Sequence, residues 1–233
     1  LAAVGASTPV INMLVGFFMG LSAGAGVVIS QYFGGRRKED MSKAVHSSIA
    51  LTALLSVVFT VAGMLFTKPL LRAIGVPEEV LPHSSLYLTI YFAGMTFSLF
   101  YNMGSGILRA VGDSRHPLIY LAVASLVNIA LDFLFVCGFH MGIAGVAIAT
   151  IIAQAVSSAM VMYKLMHTQE DYKLELRKIH FHKKMVKKII AFGFPAALQQ
   201  SITSFSNVIV QSYINRFGAT AMAGYSAAIR IDG

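Results

Sequence analysis

From Leu1 to Gly35 the chain carries no Asp, Glu, Lys or Arg. An uncharged apolar run of that length exceeds the roughly 20 residues a helix needs to cross the hydrocarbon core of a bilayer. Further apolar runs follow, and together they predict spans near residues 8–33, 44–66, 84–107, 117–138, 142–164 and 189–213. Lipid offers no hydrogen bonds, so each run must satisfy its own backbone, and an α-helix does this within one segment. Lys164 marks the end of the fifth run. Inside the spans the only charged or histidine side chains are His46 in the second and Asp132 in the fourth. Composition removes the alternatives. Only 12% of residues are charged and 56% are hydrophobic, against about a quarter charged in an ordinary soluble domain. Too few charges remain to cover a water-facing surface. A single cysteine, Cys137, excludes a disulfide scaffold.

Turn signals separate the runs: Gly34-Gly35 followed by Arg36, Arg37 and Lys38; Gly75-Val76-Pro77; Gly112-Asp113 with Pro117; and Gly138 to Gly142. Basic residues sort to one side of this pattern. Arg36, Arg37, Lys38, Lys43, Arg109 and Arg115 fall there, with eight more between Lys164 and Lys188, against Lys68, Arg72 and Arg216 opposite. The positive-inside rule assigns the richer side to the cytoplasm of an inner-membrane, multi-pass protein. The net charge of +8 is then topology, with no nucleic-acid partner implied. The first span runs outside to inside, so a helix crossing the other way is expected before Leu1.

Residues 164–188, with eight basic and three acidic side chains, are the main polar stretch. They read as a solvated cytoplasmic linker, with a basic amphipathic helix near Lys173 to Lys188 against anionic headgroups as a further expectation. The ends of the chain resemble each other: Leu1-Ala-Ala-Val-Gly5-Ala-Ser7 matches Thr220-Ala-Met-Ala-Gly224-Tyr-Ser226 in its glycine and serine. Six-helix units repeated in one orientation are a common transporter plan. The expected organisation is all-α and polytopic, about half of a twelve-helix, two-bundle protein. Residues 1–165 form the N-terminal bundle without its first helix, 166–188 the linker, and 189–233 the start of the second bundle. The remainder of the same chain is then the bundle's partner.

Asp132 is the most informative side chain. A carboxylate at helix mid-depth costs about 2.5–3.5 kcal/mol on insertion scales, so it should face protein or a wet cavity. Asn128 lies one turn earlier on the same face. Their oxygens suit a hard cation such as Na⁺, or a titrating proton; the alternative is a helix-packing pair satisfied by nearby hydroxyls. Other intramembrane polar groups, including Ser22, Gln31, Thr96, Asn102, Thr150, Gln154, Gln199, Gln200 and Thr203, read singly as interhelical hydrogen-bonding glue and together as a hydrated cavity. Gly193 and Pro195 are expected to loosen the sixth span. Gly16, Gly20, Gly24 and Gly26 give the first a small-residue face for close helix contact. Phosphate-loop, zinc-hydrolase, Cys-x-x-Cys and nucleophile-elbow motifs do not occur. No enzymatic activity and no resident cofactor are expected. His180 and His182 in the linker form at most a coincidental metal pair.

Leu108-Arg109-Ala-Val-Gly112-Asp113-Ser-Arg115-His-Pro117 resembles the signature cytoplasmic turn of the multidrug and toxic compound extrusion (MATE) family. Gln31-Tyr-Phe-Gly34-Gly35, Gly142-x-x-Gly145-x-Ala147-x-Ala149-Thr150 with Gln154, and Gly193-Phe-Pro195 resemble that family's patterns in order and spacing. The resemblance runs from the family's second helix to the start of its eighth. It implies two six-helix bundles around a cavity and cation-driven export of amphipathic drugs or small organic cations by alternating access. It also implies a cation site at Asn128, Asp132 and Thr150, completed by an Asp on the absent first helix, with Na⁺ or H⁺ as the coupling ion. Gln31, Asn102, Gln154, Gln199 and Thr203 are the candidates for the substrate cavity. Thr203 stands where another branch of the family has a glutamate, which favours coupling through Asp132. The alternatives are a lipid-linked saccharide flippase of the same superfamily and a non-transporting membrane scaffold.

Overall fold

The computed structural model describes residues 2–73, 76 and 81–215. Six long helices account for the six expected spans: α1 (Ala2–Gly34), α2 (Lys38–Ala73), α3 (Leu81–Ala110), α4 (Arg115–Asp132), α5 (Gly142–His167) and α6 (Lys183–Asn215). They overrun the apolar runs because polar turns continue the backbone ladder past the hydrocarbon, as Lys38-Glu39-Asp40 does at the start of α2. Among the described residues, four stretches are long and apolar enough to cross a membrane: Leu14–Gly34, Lys38–Ala73, Arg115–Gly138 and Gly142–His167. α3 and α6 fall short of that measure.

Two turns close by the same device. After α3, Asp113 N–H reaches back to Leu108 O at 2.9 Å and Gly112 N–H to Arg109 O at 3.0 Å, with Gly112 at φ 90°. This pair of bonds and a left-handed residue terminate a helix sharply. Asp113 then receives the N–H of His116 at 3.1 Å and starts α4. After α1 the pattern recurs through Arg37 to Tyr32 and Arg36 to Phe33, but the left-handed residue is Arg36 at φ 52°, not either glycine of the Gly34-Gly35 pair. The turn after α4 also departs from expectation. Phe133–Gly138 forms a π-helical turn immediately after Asp132, and the chain reverses through His140 at φ 53° and Gly142 at φ 57°.

α3 sits at the centre, packed against α1, α2 and α5, while α4 rests mainly on α5. One apolar cluster fills the basic end around Ile29, Met41, Ile107 and Leu165; a second, around Phe18, Leu88 and Phe92, fills the other end. The segment between α5 and α6 belongs to the first cluster. Tyr172, Leu174 and Met185 are buried in it, and Leu174 N–H bonds Leu165 O at 2.8 Å. Most other side chains from 169 to 184 are exposed, and the helix expected from Lys173 begins only at Lys183. Only a 3-10 turn, Leu176–Lys178, precedes α6, because alternating apolar side chains fold the segment back over the bundle.

The small-residue face of α1 finds its partner in α6. A Cβ at Gly24 would strike the backbone of Gly193, one at Gly20 the backbone of Ala197, and one at Gly16 the side chain of Gln200. The helices therefore run antiparallel with their backbones in contact, the geometry that small residues spaced four apart permit. At the basic end Lys188 donates to the Tyr32 hydroxyl at 2.8 Å. Helix α6 continues through Pro195, and Gly193 serves close approach.

Most buried hydroxyls do not link helices. Ser48, Thr52, Thr67 and Thr150 each donate to the carbonyl four residues back, at 2.7–2.9 Å. Only a few bridge: Ser22 to Asn102 O at 2.8 Å, Tyr101 to Pro117 O at 3.0 Å, and Thr60 with Thr96 at 3.5 Å. The expectation of interhelical glue holds for Ser22, Thr96 and Tyr101, while the side chains of Asn102, Thr150 and Thr203 bond within their own helices, where a carbonyl lies within reach of a short polar side chain. The repeated motif at Thr220–Ser226, and Arg216, lie outside the described residues, as does most of the Gly75-Val76-Pro77 turn.

Candidate functional site

Asp132 is the last residue of α4, at its junction with the π-helical turn. The Phe133 N–H is shared between the carbonyls of Ala130 and Ile129, so the ladder changes pitch at the acid. Local π-helical turns widen the backbone and recur at functional sites. Asn128 lies one turn earlier. Although each residue is part-exposed, Asn128 Nδ2 and Asp132 Oδ1 are enclosed and have no hydrogen-bond partner among the described residues. The other enclosed polar atoms in that condition are the hydroxyls of Ser84 and Ser105 on α3. Enclosed donors and acceptors normally have partners, so two such atoms one turn apart on one helical face stand out.

Helix α3 supplies the wall opposite. Tyr87 is buried there. Tyr91, one turn on, stacks on Tyr87 with ring centroids 6.4 Å apart, and its hydroxyl reaches Gln154 of α5 and Ser98. The polar groups on these helices are thus a carboxylate and an amide one turn apart on α4, and two phenols of α3 with Gln154 of α5 beside one of them. Such a set can hold a proton or a small cation and can hydrogen-bond a polar solute. Sequence reasoning missed Tyr87 and Tyr91.

The remaining candidates separate. Thr150 spends its proton on Val146 O at 2.9 Å and makes no hydrogen bond with Asn128 or Asp132. Gln154 joins the wall beside Tyr91. Asn102 is tied within α3, donating to Ser98 O at 2.8 Å. Gln31 is exposed at the basic end of α1, and Gln199 and Thr203 are exposed on α6, where Thr203 donates to Gln199 O at 3.1 Å. The five cavity candidates are not gathered into one space. Among the described residues no group of three or more His, Cys, Asp or Glu side chains could hold a metal ion.

Comparison with known proteins agrees with this architecture. The chain is 32% identical over 231 residues to the probable multidrug resistance protein YoeA of Bacillus subtilis (strain 168), covering 96% of this chain and 50% of that protein. It thus spans about half the length of the curated relatives it matches. A structure described as the inward-facing conformation of a multidrug resistance MATE family transporter of the MOP superfamily superposes with a TM-score of 0.90 at 29% identity, over 99% of this chain and 53% of that one. A corresponding outward-facing structure gives 0.88 at 28% identity, over 100% and 52%. The MatE family model matches residues 1–134. With more than half of its length matched by that model, this membrane-helical chain belongs to the MatE family.

Proposed function

We propose that the full-length protein exports amphipathic, cationic organic compounds in exchange for Na⁺ or H⁺, with Asp132 and Asn128 as the coupling site. The observation that carries this reading is the enclosed, unpartnered Asp132 Oδ1 one turn from the unpartnered Asn128 Nδ2. An acid kept at membrane depth without a fixed basic neighbour responds to a small cation. Proton or Na⁺ binding there neutralises the carboxylate and lets α4 repack against Tyr87 and Tyr91. The change in charge biases the bundle between two arrangements, and the bundles rock to open a shared cavity alternately to each side of the inner membrane. The basic end faces the cytoplasm in this scheme. Helix α6 opens the second bundle, so its contact with α1 along Gly16, Gly20 and Gly24 is the seam between bundles. The similar fit to inward- and outward-facing relatives supports a unit that keeps its shape between the two arrangements.

Asp132→Asn in the full-length protein should reduce cation-driven drug efflux from everted vesicles to background at unchanged membrane expression. Wild-type efflux by that variant would refute the coupling role. Replacing Na⁺ by K⁺ at fixed pH distinguishes the two ions.

A further inference from the structure

The basic end of the bundle holds an open groove of about 630 Å³ between the first turns of α2 and the segment that joins α5 to α6. Lys38 and Lys43 line it from α2, and Arg177, Lys178, His180 and His182 from the joining segment. The transport reading above does not use this space.

Two consecutive side chains of α2 hold its far wall in place. His46 is 2% exposed. Its Nε2 accepts the backbone N–H of Glu175 at 3.0 Å, and its Nδ1 lies 2.7 Å from Ser42 O. A ring nitrogen that accepts from a backbone N–H carries no proton, so Nδ1 bears it and donates to Ser42 O. Ser47, fully buried, receives the N–H of His182 at 3.2 Å and donates to His180 O at 3.3 Å. Arg177 and Lys178 lie between these two anchorage points. The basic groups are therefore presented by a pinned segment, and little ordering remains for a ligand to impose.

Charge on the lining is unbalanced. Lys38, Lys43, Arg177 and Lys178 face Glu39 and Asp171 on the lining, and Glu175 behind Lys178, which leaves a surplus of one positive charge. Lys38 pairs with Asp171 at 3.1 Å and Lys43 with Glu39 at 3.6 Å. Both pairs are solvent-exposed and so bind weakly and open readily. Lys178 is held by Glu175 at 2.8 Å, which keeps that carboxyl below its ordinary pKa. Arg177 has no carboxylate partner among the described residues, and its planar guanidinium suits bidentate contact with phosphate oxygens.

We propose that this groove binds a phosphomonoester, whose oxygens suit the Arg177 guanidinium left without a carboxylate partner among the described residues. Arg177 and Lys178 are its principal contacts, with His180 and His182 as further donors. The space exceeds a bare phosphate and accommodates the group esterified to it. The same chemistry is offered by a soluble phosphate and by a lipid with a terminal phosphate at the membrane surface.

Purified full-length protein in neutral detergent is titrated at constant ionic strength with inorganic phosphate, with sulfate as a control. In a second arm, micelles doped with phosphatidic acid or phosphatidylglycerol replace the soluble anion. Thermal unfolding reports binding. The double variant Arg177→Gln/Lys178→Gln removes the contacts. Lys184→Gln/Lys187→Gln removes equal charge from exposed positions off the groove. Saturable stabilisation by phosphate, weakened about tenfold or more in the first variant and unchanged in the second, establishes the site with a soluble source. The same contrast seen only with phosphatidic acid establishes it with a lipid source. No saturable effect with either probe, or equal weakening in both variants, overturns the proposal.

Discussion

Helices α3 and α4 invert the rule that soluble proteins teach. α3 is not apolar enough to rank among the candidate membrane spans, yet it lies at the centre of the bundle and contributes Leu88, Phe92, Met95, Leu99 and Ile107 to the most deeply buried side chains. α4 with its π-helical turn ranks among those spans, yet only 11% of its most apolar stretch is buried. Leu126 and Phe133 stand 69% and 73% exposed. In lipid an exposed leucine costs nothing, because acyl chains are as apolar as a protein core. Helix association then depends on close packing and on polar contacts. Hydropathy marks the surface that meets lipid, while small and polar residues mark the surface that meets protein.

Phe92→Ala tests this contrast most severely. The ring is 1% exposed and packs directly over Gly63 of α2, so its loss leaves a cavity that should cost about 3 kcal/mol. Equilibrium unfolding of the full-length protein in mixed micelles measures it, and a near-neutral result would mean that α3 is not the packing centre. Gly24→Val should cost about 2 kcal/mol by forcing α1 off the Gly193 backbone. Spin-label distances between the exposed positions Phe33 of α1 and Lys184 of α6 in the two backgrounds report the separation, and an unchanged distance would count against the seam. Tyr32→Phe deletes only the acceptor for Lys188 and should lower stability by about 1 kcal/mol. At the small end, Leu126→Ala on α4 should change stability by less than about 0.5 kcal/mol. A loss comparable to that of Phe92→Ala would show α4 covered by protein on that side and erase the contrast.

The proposed coupling site was partly legible. Asp132 and Asn128 could be found because a lone acid in an apolar helix is conspicuous and a four-residue spacing places both on one face. Thr150 was legible only by family resemblance, and its hydroxyl is committed to its own helix. Tyr87 and Tyr91 were not legible, because an aromatic residue in a membrane helix has the same appearance whether it meets lipid or lines a site. The groove at the basic end was hidden for a similar reason: basic residues in a loop look alike whether solvated or gathered.

Helix positions, the charge asymmetry between the two ends and the small-residue stripe of α1 could be read from the chain alone. Each depends on neighbours a few residues apart, through backbone hydrogen bonding in lipid, loop charge and helical periodicity. Tertiary structure decided that the stripe serves α6, that His46 and Ser47 pin a segment about 130 residues away, and that the ladder changes pitch at Asp132. Those outcomes depend on which surfaces fit when distant segments meet, and local spacing carries no record of that choice.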